Sequence, residues 1–126
     1  DSVSARTAAV ALVGAHAFGR LATVAAMAYL PYVGDASRAK ARPNVVTGGF
    51  TVPVAVVLGL APAVLLMSWD MAMAGIAIGA IGATGVGCLA WFKVGGYTGD
   101  VLGAIEQAAE ISFLLAVAAI AAGPGG

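Results

Sequence analysis

Four apolar stretches run through the chain, separated by short polar or Gly/Pro-rich segments. The first extends from about Ala8 to Leu30, interrupted by the polar residues His16, Arg20 and Thr23, and meets Pro31-Tyr32, where proline stops a helix. The second runs from about Phe50 to Ser68, with Pro53 tolerated in its first turn and Pro62 expected to kink its interior. After a turn at Trp69-Asp70 comes the third, Met71 to Phe92. The fourth, from about Thr98 to Ala122, follows Lys93-Val94-Gly95-Gly96-Tyr97 and ends at Gly123-Pro124-Gly125-Gly126. Each is long enough to cross a hydrocarbon core of about 30 Å at about 1.5 Å per residue. Alternation of polar and apolar residues, the mark of a membrane β-barrel strand, is missing from all of them. Polar faces that could meet water are missing too, which argues against buried helices of a soluble domain. The pattern predicts an all-α, polytopic membrane protein of one domain, 1–126, with about four transmembrane helices near 8–30, 50–68, 71–92 and 98–122.

Composition strengthens this reading. Of the 126 residues, 61% are hydrophobic and 10% charged, with a mean hydropathy of +0.99, against about 25% charged in ordinary soluble domains. Six Lys/Arg balance six Asp/Glu, so there is no basic field for nucleic acid. The single cysteine, Cys88, offers neither a disulfide nor metal-ligand spacing and is expected to be a small buried residue. The stretch after Asp1 lacks the basic region and cleavage site of a signal peptide. Arg38, Lys40 and Arg42 in the first loop and Lys93 in the third, set against Arg6 in the N-terminal flank, place these two loops in the cytoplasm and both chain ends opposite.

Polar residues inside the helices carry the candidate chemistry, because ionisable groups at membrane depth are costly and usually face a cavity or one another. On a helical wheel with Asp100 at zero, Gly103, Glu106, Gln107 and Glu110 fall with it in an arc of about 120°. Val101, Leu102, Ile105, Ala108 and Ala109 form the opposite, apolar arc. On the first helix, His16, Arg20, Thr23 and Met27 share a face. Counted from the cytoplasmic ends, Arg20 lies about 15 Å deep, Glu106 about 12 Å and Glu110 about 18 Å. Arg20 is therefore expected to meet these carboxylates, as part of a site or as an ion pair with Glu110 that locks helices one and four. Gly75, Gly79 and Gly82 make a stripe on helix three that suits close packing.

The segment Gly95-Gly96-Tyr97-Thr98-Gly99-Asp100 leads into the fourth helix. Its glycines let the backbone turn and approach a ligand. Thr98 is placed to cap the helix, whose free N–H groups favour an anion. Asp100 would repel a bare phosphate but could hold a Mg²⁺ that a phosphate also binds. An N-cap followed by a carboxylate complementing the helix dipole explains the same residues without a ligand.

The run Gly95-Gly96-Tyr97-Thr98-Gly99-Asp100-Val101-Leu102-Gly103-Ala104, followed by Glu106 and Glu110, closely resembles the GGxTGDxLGA signature of the cobalamin synthases, the adenosylcobinamide-GDP ribazoletransferases. Helix one with Arg20, then Leu30-Pro31-Tyr32 and a short basic loop, resembles the mid-chain part of that family, so the likeness spans nearly all of this chain but about the C-terminal half of a typical member. The resemblance implies an enzyme of cobalamin biosynthesis in the bacterial inner membrane with a cytoplasmic active face. Such enzymes transfer the cobinamide phosphoryl moiety of adenosylcobinamide-GDP to α-ribazole or its 5′-phosphate and release GMP with Mg²⁺. It further implies catalytic roles for Arg20, Asp100, Glu106 and Glu110, with Asp100 on the metal, and substrate binding by Gly95, Gly96, Thr98, Gly99, Gln107 and His16. The family's N-terminal half carries repeated Asp-Gly pairs, and no such pair occurs here. The chain alone is accordingly expected to be inactive and to need the missing half as its partner. Two other classes fit the bare helices: a small ion- or proton-coupled transporter, and a non-catalytic membrane subunit.

Overall fold

The computed structural model describes residues 2–33 and 51–123, the side chains from Ala5 onward. These form four helices: α1 Ser2–Tyr29, α2 Thr51–Leu66, α3 Trp69–Val94 and α4 Gly99–Ala122. The basic loop residues Arg38, Lys40 and Arg42 lie outside the described residues. Three segments, Ala5–Tyr29, Trp69–Val94 and Gly99–Ala122, are long and apolar enough to span a membrane. With 16 residues, α2 reaches about 24 Å, less than a full hydrocarbon core.

Helix boundaries differ from the sequence expectation where polar residues continue a helix. α1 starts at Ser2 rather than near Ala8, because nothing between these residues breaks a helix; the apolar pattern marks only its membrane-depth part. α3 starts at Trp69, so Trp69-Asp70 is its first turn and not a loop. Asp70 Oδ1 there accepts hydrogen bonds from Ser68 Oγ at 2.8 Å and Met71 N at 3.0 Å, and its charge complements the helix N-terminus. α3 continues past Phe92 to Val94 and stops at Gly95, which is left-handed at φ 84°, as a C-terminal glycine cap requires.

The helices lie side by side in the order α2, α1, α4, α3, with α4 packed along α3 and α1 along both α2 and α4. α2 and α3 barely touch although only Met67 and Ser68 join them. Small residues make the close contacts possible. Ala11, Ala15, Ala22 and Ala26 line the buried side of α1, and Phe18 meets Phe113 of α4 with ring centroids 5.8 Å apart. The expected stripe on α3 is closely packed against α1 and α4. A Cβ on Gly75 would lie 2.9 Å from the Phe113 ring and one on Gly79 2.7 Å from the Phe18 ring, while Gly82 abuts Ser112. Farther along, Gly85 and Gly87 face open space, and Cys88 is exposed, not buried as expected. Cys88 borders an apolar cleft between α1 and α3 that Leu21, Ala25 and Trp91 also line. Leu58, Leu65, Ile81, Leu89, Phe92 and Leu115 point outward, as they do when the surroundings are lipid and not water.

Candidate functional site

The end of α1 is tied to the entry of α4. Val33 N donates to Tyr97 O and Tyr97 N donates to Pro31 O, both at 2.9 Å, and the rings of Tyr32 and Tyr97 pack at 5.4 Å. Tyr97 is buried, and Gly96 lies so close to the Pro31 carbonyl that no side chain fits between them. Thr98, in extended conformation, accepts a hydrogen bond from Val101 N at 3.3 Å through its side chain, the N-cap the sequence predicts. Losing that cap in Thr98→Ala is expected to cost about 1 kcal/mol, measured as a lower unfolding temperature in detergent, with Thr98→Ser close to the parent.

These bonds account for three expected ligand contacts by the backbone's own needs. Gly95 supplies a positive φ, Gly96 a close approach and Thr98 a cap. Gly99 and Gly103 differ from Gly96: a Cβ on either would meet nothing within 4 Å, and neither has the positive φ of Gly95. They share an exposed surface with Asp100 and Gln107 at the start of α4.

Below this surface lies a polar seam between α1 and α4. Glu106 and Glu110 are half-buried there, and Gly19 faces both. The His16 Nδ1 atom is 3.8 Å from Glu110 Oε2, and Thr23 Oγ1 donates to the Gly19 carbonyl at 3.1 Å. His16, Glu106 and Glu110 thus come together as the shared face implied. Arg20 does not join them. Among the described residues it forms no ion pair, and the expected Arg20–Glu110 contact is replaced by His16–Glu110. Successive helical residues are about 100° apart: with Gly19 turned to α4, Arg20 falls toward α2. There it borders a cleft of about 610 Å³ with Ala17, Val24, Val54 and Leu58. Asp100 lies about 9 Å along the axis from Glu106, and among the described residues no three His, Cys, Asp or Glu side chains are grouped to hold a metal. The sequence reading missed Gly19. Its signal was a glycine one turn after His16 and one turn before Thr23, on the same face.

A profile of the cobalamin-5-phosphate synthase family matches residues 2–118. An adenosylcobinamide-GDP ribazoletransferase of Leptothrix cholodnii is 38% identical over 115 residues, covering 84% of this chain and 42% of the relative. The chain therefore spans less than half the length of this relative. No solved structure matches. With its signature segment pinned between α1 and α4 and the match running through nearly all the described helices, the chain belongs to the cobalamin-5-phosphate synthase family.

Proposed function

We propose that this chain is the C-terminal, membrane-embedded part of an adenosylcobinamide-GDP ribazoletransferase in the bacterial inner membrane, with its active face in the cytoplasm. The observation that carries this reading is the open surface made by Gly99, Asp100 and Gly103 of the signature with Gln107 beside them, set on a capped helix start next to the carboxylate seam. A helix N-terminus stabilises an anion such as a diphosphate, and the bare glycine surface lets a large substrate approach the backbone. In the reaction a hydroxyl oxygen of α-ribazole, or of its 5′-phosphate, forms a bond to the cobinamide phosphorus. The phosphorus–oxygen bond to GMP breaks, and GMP leaves with the electron pair. Glu106, which has no ion-pair partner among the described residues, takes the hydroxyl proton. Arg20, in the next cleft, offsets phosphate charge.

Mg²⁺ would neutralise the diphosphate oxygens. The described residues do not form a site for it by themselves, and we assign Asp100 as one ligand, the others coming from substrate or from residues beyond those described. Family membership favours transfer chemistry over the ion-coupled transport and passive-subunit readings.

The test is GMP release by the full-length protein in nanodiscs, supplied with adenosylcobinamide-GDP. Release is expected only when α-ribazole or its 5′-phosphate is added, with the 126-residue chain inactive alone and Arg20→Ala at least about tenfold slower. Proton or ion flux in proteoliposomes without GMP release would overturn the reading.

A further inference from the structure

We propose that Gly19 is a positioning residue of the transfer reaction: its missing side chain leaves the space that the carboxylate of Glu110 and the Cγ of Glu106 occupy. The proposal rests on the reading of these carboxylates as working groups. A Cβ at Gly19 would lie 2.8 Å from Glu110 Cγ, 3.0 Å from its Oε2 and 3.2 Å from Glu106 Cγ. Other glycines in the bundle face neutral groups: Gly14 faces Met67 and Phe113, Gly59 Leu21, Gly75 Phe113, Gly79 Phe18 and Gly82 the Ser112 hydroxyl. At those positions the missing Cβ serves helix packing. At Gly19 it faces two acids, one of which, Glu110, also lies 3.8 Å from His16 on the preceding turn.

The two roles separate by experiment because Glu110 is a flexible side chain. Adding a methyl group at Gly19 pushes the carboxylates aside by rotation about side-chain bonds, while alanine is the better helix former. The fold therefore survives, and the site moves. A displacement of this kind is costly for chemistry, since misplacing a reacting group by about 1 Å lowers rate by up to about 100-fold.

The full-length enzyme in detergent supplies the test. Gly19→Ala is expected to lower kcat about 10- to 100-fold with KM little changed and the unfolding temperature equal to the parent's or higher. Shortening the acid makes room again, so Gly19→Ala combined with Glu110→Asp is expected to regain the kcat of Glu110→Asp alone. A purely structural glycine predicts the reverse, a lower unfolding temperature with kcat retained in the folded fraction, and that result overturns the proposal. Parental kcat in Gly19→Ala alongside an inactive Glu106→Gln overturns it while leaving the functional reading in place. Parental kcat in both variants overturns the reading of these carboxylates as working groups, on which the proposal rests.

Discussion

Glu106→Gln in the full-length enzyme is expected to slow GMP release by about 10²- to 10⁴-fold, the range lost when a general base is removed. Two acids share the seam, and their surroundings divide the work. Glu110 is 24% exposed and has the His16 imidazole nitrogen 3.8 Å away. Glu106 stands about 6 Å nearer the entry of α4 and has no ion-pair partner among the described residues, which leaves its oxygens free to accept the hydroxyl proton. Glutamine keeps the size and removes only the basicity. Stability in detergent is therefore expected to stay within about 0.5 kcal/mol of the parent, as for substitutions that break no named interaction. Glu110→Gln is the contrasting variant: it loses the contact with His16 and is expected to change rate less than Glu106→Gln. Single-turnover measurement of GMP separates chemistry from product release. Rates for Glu106→Gln within twofold of the parent would remove this acid from the reaction.

Much of the bundle was legible in the sequence because membrane helices announce themselves by length and hydropathy. The Gly75, Gly79 and Gly82 stripe, the Thr98 cap and the common face of Glu106 and Glu110 all follow from helical periodicity within one segment. What escaped depends on rotation between segments. Arg20 and Gly19 are chain neighbours, and either could have been turned toward α4 by the sequence pattern alone. The structure turns Gly19, not Arg20, to Glu110 and Glu106 of α4, and no periodicity within α1 makes that choice. Cys88 was misread for a related reason: its apolar neighbours do not reveal the cleft between α1 and α3 that it lines. The pairing of Tyr32 with Tyr97 joins residues far apart in the chain, and no local rule predicts it.

That pairing gives the second large effect. Gly96→Ala is expected to destabilise the bundle by about 2–4 kcal/mol, the cost of overpacking added to that of the hydrogen bonds it breaks. The new methyl group would meet the Pro31 carbonyl oxygen, with Pro31 C and Cγ each 3.0 Å away, and these atoms belong to backbone and a rigid ring. Pro31 O is also the acceptor for Tyr97 N, and Tyr97 O the acceptor for Val33 N. Pushing the two strands apart therefore breaks both bonds and the ring contact at 5.4 Å together, and it frees the start of α4 from α1. The neighbouring glycines calibrate the result. Gly95→Ala places a side chain at φ 84° and is expected to lose about 1–2 kcal/mol. Gly99→Ala points into open space and is expected to leave stability unchanged while lowering activity, because the surface it would roughen is the one the substrate approaches. Thermal unfolding of the three variants in the same detergent orders them Gly96, Gly95, Gly99 from most to least destabilised. An unfolding temperature for Gly96→Ala equal to the parent's would mean that α4 does not need its tie to α1, and the capped helix start would then lose its fixed place above the carboxylates.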